Sequence, residues 1–192
     1  MKLLLSLVMI AFMTSAAFAG DRGDVSVSLS LGDPVGSVLN PDDTYSYYEG
    51  IGIDAKLYIP VMYGSDSNLS LTFNYKYFDL DNTTESSINE SAGLTGPGLG
   101  FDISFHVLSL GASAEFLQME VEQSSSSGTT KQKYDFMNIS YYAGLIKHFK
   151  NFQLGVLYSI DTATISKDDT GADKDSDFEN KTIWLTLKFD LD

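Results

Sequence analysis

The 192-residue chain has no cysteine, two histidines, one tryptophan and four prolines. Without cysteine no disulfide framework holds the fold, and no zinc-type ligand cluster forms. Basic residues are scarce: 12 Lys and Arg stand against 26 Asp and Glu. So acidic a surface repels phosphate backbones, which sets nucleic-acid binding aside. Beyond the first twenty residues there is no run of 18 apolar residues, so no helix is long enough to span a bilayer.

What is present begins with Lys2, an apolar run from Leu3 to Met13, and small residues ending Ala17-Phe18-Ala19. A positive start, a short apolar segment and an A-x-A site predict a secretory signal peptide over residues 1–19, leaving a domain at 20–192. The apolar run is short for an uncleaved membrane anchor. Removing Lys2 leaves 11 basic against 26 acidic residues, net −15. Yet 43% of the chain is hydrophobic, with 11 Tyr and 12 Phe, too much for a disordered chain. That apolar content must be distributed in short pieces.

About eight pieces alternate with a period of two, the signature of strands. In "DVSVSLSLG", Val25, Val27, Leu29 and Leu31 share one face and Asp24, Ser26, Ser28 and Ser30 the other. Ile51, Ile53, Ala55, Leu57 and Ile59 oppose Gly52, Asp54, Lys56 and Tyr58; Leu69 to Tyr77 oppose Ser70, Thr72, Asn74 and Lys76. Met137 to Leu145 oppose Asn138, Ser140, Tyr142 and Gly144; Phe152 to Ile160 oppose Gln153, Gly155, Ser159 and Asp161, with Leu157 as an exception. Ile183, Leu185, Leu187 and Phe189 oppose Trp184, Thr186 and Lys188. Segments of about ten residues suit a tilted strand crossing a bilayer. Apolar parity is odd from Leu99 to Phe105 and even from Leu108 to Phe116, which predicts a tight turn at 105–109, with a bulge in one long strand as the alternative.

The connections alternate in length. Residues 33–47, 79–96, 122–134 and 167–180 read as long polar loops, whereas 60–68, 105–109 and 147–151 are short. Long outer loops and short periplasmic turns are the pattern of outer-membrane barrels, with both termini on the periplasmic side. Tyr45, Tyr47, Tyr48, Tyr75, Tyr77, Phe78, Tyr134 and Phe136 fall near the long-loop ends. Tyr58, Tyr63, Phe149, Phe152 and Phe189 fall near the other ends, as two interfacial girdles would require. A soluble lipocalin-like barrel is the competing fold. Charged Asp54, Lys56, Lys76, Asp161 and Lys188 on the face opposite the aliphatics favour the membrane barrel, aliphatics to lipid and serines to the lumen.

On these features the chain resembles the small eight-stranded outer-membrane barrels of the OmpA/OmpX and OmpW/opacity types. The resemblance implies an all-β, eight-stranded antiparallel up-and-down transmembrane barrel in the outer membrane of a Gram-negative cell. It also implies contact with outer-membrane lipid and lipopolysaccharide, with the barrel-assembly machinery, and with an extracellular ligand of the loops. Members usually end on an aromatic; here "IWLTLKFDLD" places Phe189 three residues before the terminal Asp192. The group includes anchors, adhesins, porin-like narrow channels and lipid-modifying enzymes, so membership does not fix function.

Chemistry is sparse. His106 and His148 both fall at short turns, and "HVLS" brings Ser109 near His106 at the end away from the loops. "GPGLG" at 96–100 lacks the strand-to-helix context of a phosphate loop, and Pro97 has no N–H to donate. Asp173, Asp175, Asp177 and Glu179 alternate like the opening of a calcium loop. Phe178 replaces the glycine of that motif, however, and Trp184 its closing glutamate, so a solvated acidic loop is the plainer reading. No cofactor is expected. Parity places Asp54, Asp102, Glu115 and Asp161 in the lumen with Lys56, Lys76 and Lys188. Lys76 should bridge acids on neighbouring and facing strands and plug the barrel. The expected function is a non-enzymatic structural or surface-interaction barrel. A narrow channel for small or apolar solutes is the alternative, and a lipid-modifying barrel enzyme a lesser one.

Overall fold

The computed structural model describes residues 25–39, 45–64, 67–84, 89–125, 128–149, 152–167 and 173–191. The expected signal peptide lies outside them. Eight strands run in chain order: β1 (Val25–Leu39), β2 (Tyr45–Tyr63), β3 (Ser67–Asn82), β4 (Asn89–Phe105), β5 (Leu108–Ser125), β6 (Gly128–His148), β7 (Gln153–Lys167) and β8 (Asp173–Leu191). Each pairs antiparallel with the next, and β8 closes on β1.

Closure comes with a stagger that can be counted from the register. Paired residues lead from Val27 through Leu57, Phe73, Leu99, Ala114, Ile139, Thr162 and Glu179 back to β1 at Ser37, ten residues above the start. A ring of eight strands with that shear tilts its strands roughly 35–45° and leaves an interior just wide enough for side chains. The tight turn expected at 105–109 is present: β4 ends at Phe105, β5 begins at Leu108, and His106 takes a φ of 52°. That turn reverses the parity without a bulge.

In the lower part, nearest the termini, the two faces follow the expected polarity. Leu29, Leu31, Phe73, Phe101, Leu110, Tyr141, Val156 and Leu185 point outward and are exposed, while Ser28, Ser30, Thr72, Ser140, Ser159 and Thr186 are buried inside. On β5 the outward run from Leu108 to Phe116 covers nine residues. At ~3.4 Å per residue and roughly 40° of tilt that makes a belt about 20 Å tall, close to the ~25 Å apolar band of a transmembrane barrel. Val25 departs from its neighbours and is buried.

Above the belt the strands continue where loops were expected. The stretches 33–47, 79–96, 122–134 and 167–180 are mostly strand, and the connections between strands shrink to 40–44, 83–88, 126–127 and 168–172. The reason is a reversal of polarity. In "FDLD" Phe78 and Leu80 turn inward and Asp79 and Asp81 outward; in "LQMEVE" Leu117, Met119 and Val121 turn inward and Gln118, Glu120 and Glu122 outward. A barrel wall standing in water buries its apolar face, as any soluble sheet does. The same reversal corrects the aromatic girdle: Tyr48, Phe78 and Phe136 lie inside the barrel, and so does Tyr58 lower down.

Replacing Leu31 by Arg, near the middle of the belt, should cost ~2–4 kcal/mol of barrel stability in bilayers, and far less for an arginine at outward-facing Asp81. Urea unfolding in lipid vesicles measures both.

Candidate functional site in the barrel lumen

The lumen contains three layers. In the lowest, Asp102 accepts from Ser109 Oγ at 2.7 Å and Tyr142 Oη at 3.0 Å. Lys56 Nζ lies 3.8 Å from the Tyr142 ring centroid and 3.2 Å from Asp54 Oδ2. Lys188 Nζ sits 4.1 Å from the ring of Tyr58, whose hydroxyl accepts from Ser28 at 3.3 Å. A lysine over an aromatic face keeps part of the stabilisation that water would have supplied.

The middle layer centres on Lys76 of β3, almost completely buried. Its ammonium donates to Asp161 Oδ1 of β7 at 2.5 Å and Ser140 Oγ at 2.9 Å, and lies 3.0 Å from Glu115 Oε1 of β5. Three asparagines close the remaining valences of the acids. Asn74 donates to Glu115 Oε1 at 2.9 Å, Asn138 to Glu115 Oε2 at 2.9 Å and Asp161 Oδ1 at 3.2 Å, and Asn180 to Asp161 Oδ2 at 3.4 Å. Ser159 donates to Asp161 at 3.3 Å and accepts from the Trp184 indole N–H at 2.9 Å. One cation between two carboxylates, backed by neutral donors, satisfies charges that would otherwise be costly to bury. Trp184 fits because the two positions beside it on β1 and β2 are glycines: a Cβ at Gly32 would stand 2.5 Å from the indole, and one at Gly52 2.9 Å.

The upper layer is apolar. Phe78, Leu80, Leu94, Leu117, Met119 and Phe136 are its core, and it includes Val38, Ala92, Val121 and Phe178. The Phe78 ring lies 5.7 Å from Trp184, and Phe136 lies 5.9 Å from Phe178. At the top of the lumen, Glu90 accepts from Tyr48 Oη and from Gln123 Nε2.

A chain with these features, an apolar belt around a side-chain-filled lumen in a closed eight-stranded ring, can be placed by its fold. It has the fold of a small outer-membrane β-barrel. Among solved structures, the attachment invasion locus protein Ail of Yersinia pestis is similar over 86% of this chain and 99% of its own, at 14% identity and a TM-score of 0.55. Neisserial surface protein A is similar over 87% and 97%, at 11% identity and a TM-score of 0.54. The outer membrane protease OmpT of Escherichia coli is similar over 89% and 98%, at 10% identity and a TM-score of 0.51. No family profile and no curated protein matches the sequence. At such identities the likeness carries the fold and nothing about activity.

The seven charged residues assigned to the lumen from parity, Asp54, Lys56, Lys76, Asp102, Glu115, Asp161 and Lys188, are all buried there. They do not form one network, because Asp54, Lys56, Asp102 and Lys188 belong to the lowest layer. The acidic run Asp173, Asp175, Asp177 and Glu179 lies on a strand. β8 begins at Asp173, so these positions follow one another along a strand, and an extended backbone spreads them instead of wrapping them around an ion. The side chains of Asp173 and Asp175 lie outside the described residues; Asp177 and Glu179 are exposed, Glu179 paired with Lys181 at 2.6 Å. Among the described residues no group of His, Asp or Glu is arranged to hold a metal. His106 is exposed at its turn with its ring against Phe105, and Ser109 is committed to Asp102. The network's asparagines and the apolar layer went unread. Parity puts Asn74, Asn138 and Trp184 inward, but Asn180 and, of the apolar layer, Val38, Leu80, Ala92, Leu94 and Phe178 fall in stretches that read as loops.

Substituting Met for Lys76 leaves Glu115 and Asp161 buried without their cation and should cost on the order of 3–5 kcal/mol. Trp184, the sole tryptophan, reports on that layer by its fluorescence during urea unfolding in detergent. A second expectation concerns the β5–β6 ribbon above the belt. Lys133 and Lys131 hold the exposed Glu120 carboxyl below its ordinary value. A lowered folded-state pKa contributes stability above the unfolded value, and that contribution disappears as pH falls through the folded one. Amide exchange of residues 118–124 and 129–133 should therefore accelerate, relative to the belt, as pH falls from neutral to below the ordinary carboxylate range.

Proposed function

We propose that the protein is a non-enzymatic outer-membrane barrel with a closed lumen, acting through the part of its wall that stands above the membrane. The observation that carries this reading is what fills the lumen: the Lys76–Glu115–Asp161 network, and over it the apolar layer around Phe78, Leu94 and Leu117. An eight-stranded interior filled in this way leaves the outer surface as the place for interaction. Export by the N-terminal segment, assembly by the barrel-assembly machinery and contact with lipid and lipopolysaccharide around the belt belong to the same reading.

OmpT is a protease, yet a histidine-dependent enzyme working at the outer rim would need its imidazole there, and the two histidines of this chain sit at turns of the opposite end. That placement supports a non-enzymatic role over both proteolysis and lipid modification. The channel reading draws on a different observation. Asn74, Asn138 and Asn180 each keep one buried oxygen without a protein donor, and such atoms favour water in the middle layer. A hydrated middle would become a narrow path for small solutes if the apolar layer parted.

Planar-bilayer recording separates the two. Wild-type protein should give no steady unitary conductance, whereas a variant combining Lys76→Met with Phe78→Ala and Leu117→Ala should conduct or lose its barrel. Steady wild-type channels that are unaffected by these changes would put the channel reading first. Orientation is checked on intact cells: an impermeant thiol reagent should label a cysteine at Thr129 and spare one at Gly64.

A further inference from the structure

Prolines interrupt the ladder of the wall at two points. Pro34 of β1 and Gly50 of β2 are not paired, although the register continues on either side of them. Pro97 of β4 and its neighbour Gly96 stand unpaired opposite Phe116 and Leu117 of β5: the register holds from Asn89↔Ser124 to Thr95↔Gln118 and resumes, unshifted, at Gly98↔Glu115. Both stretches keep their pairing on the far side, Pro97 with Tyr75 and Phe116 with Met137. Pro34 turns into the lumen and is buried, whereas Pro97 is exposed on the outer face. The carbonyl oxygen of Phe116 points at this second gap, so close to Gly96 that a Cβ there would overlap it. Gly100 and Gly144 press on a carbonyl of the next strand in the same way, and the residue after each, Phe101 or Leu145, is paired with the residue that owns the carbonyl. At Phe116 the corresponding residue is Pro97, which has no N–H to give.

A groove of about 650 Å³ lies over the gap. The outward side chains of β4 are small there, Thr95 and Pro97, between the larger Tyr75 of β3 and Phe116 of β5. Thr95 donates to the Tyr75 hydroxyl at 2.9 Å and holds that ring at the edge of the groove. Phe116 ends the outward apolar run of β5, and Gln118, the next outward residue, is polar and donates to Asp135 at 3.0 Å. The groove therefore runs from the apolar belt into the polar zone above it, the span of a lipid chain and its head. Hydrocarbon covers its lower part, and hydrocarbon holds no water to replace the missing amide. We propose that this groove seats an acyl chain joined to its lipid through an amide, as in the N-acylated glycolipids of an outer leaflet, with the amide N–H donating to the Phe116 carbonyl oxygen. The chain lies against Pro97, Phe116 and Met137, and the head lies at Gln118. An ester-linked chain fits the same furrow but brings an acceptor to an acceptor, so the linkage decides the preference and the chain length does not.

This rests on the lipid contact of the reading above and names the lipid. Lipid retention and conductance are separate measurements, so either reading can fail alone. The probes are a ceramide and a diacylglycerol of matched chain length, titrated into the folded protein in detergent and counted as lipids retained per barrel by native mass spectrometry. One ceramide should be retained, in about three- to tenfold preference to the diacylglycerol, the worth of one hydrogen bond. Pro97→Val supplies the missing N–H to Phe116 and should keep the barrel, as heat-modifiable gel migration shows, while the preference falls below about twofold. Gln118→Trp, which fills the polar end of the groove, should weaken retention of both lipids together. Equal retention of the two lipids by the wild type would show an apolar seat without the amide contact and overturn the proposal. So would a preference that survives Pro97→Val, undiminished retention by Gln118→Trp, or no lipid retained at all.

Discussion

A wall surrounded by hydrocarbon has no water to satisfy its backbone, so every N–H and C=O must find its partner within the wall. The closed ring of eight strands answers that demand, and most of the architecture follows from it. Closure fixes the shear at ten residues, and the shear fixes tilt and bore. The bore then decides what the inward face holds, since an interior this narrow is filled by its own side chains. Once the ring is set, each residue has one of two directions to point, and the chemistry of each direction is read from its surroundings.

Those surroundings change along the axis. Within the belt the inward face is the only place for polar groups, and Lys76, Glu115 and Asp161 meet there because alternate strands project across a narrow bore. The cost of burying them is offset by mutual neutralisation and by the asparagine donors of β3, β6 and β8. Above the belt water lies outside, and the inward face becomes the place for Phe78, Leu94 and Leu117. The Lys76 ammonium, 6.0 Å from the ring centroids of both Phe78 and Trp184, sits at the junction of the two regimes.

Much of this was legible in the residues because a period of two is unambiguous where one face is aliphatic. Ile51 to Ile59 and Leu69 to Tyr77 announced their strands, and parity put Asp54, Lys76 and Asp161 inside. The parity change between Phe105 and Leu108 located a turn. Reading failed where the outward face turned acidic. "FDLDN" and the "EQ" that ends "LQMEVEQ" continue the alternation of the belt strands, but Asp79, Asp81 and Glu122 made the stretches from residues 79 and 122 look like solvated loops. The missing rule was that alternation identifies a strand whichever face is polar. Tyr48, Phe78 and Phe136 were misplaced for a related reason, since aromatics near a membrane boundary suit a girdle or a core equally well by sequence.

The exchange of polarity along the wall also sets how deeply the protein can sit. Sinking the barrel by one alternation would carry the outward carboxylates of Glu49, Asp79 and Glu179 toward hydrocarbon, and charge on the lipid face becomes more costly with depth. Raising it would bring Leu31, Phe101 and Leu185 toward water and give up apolar burial at roughly 25 cal/mol per Å². The wall is thus its own depth gauge, holding the apolar layer around Phe78 and Leu117 at a constant height above the lipid surface.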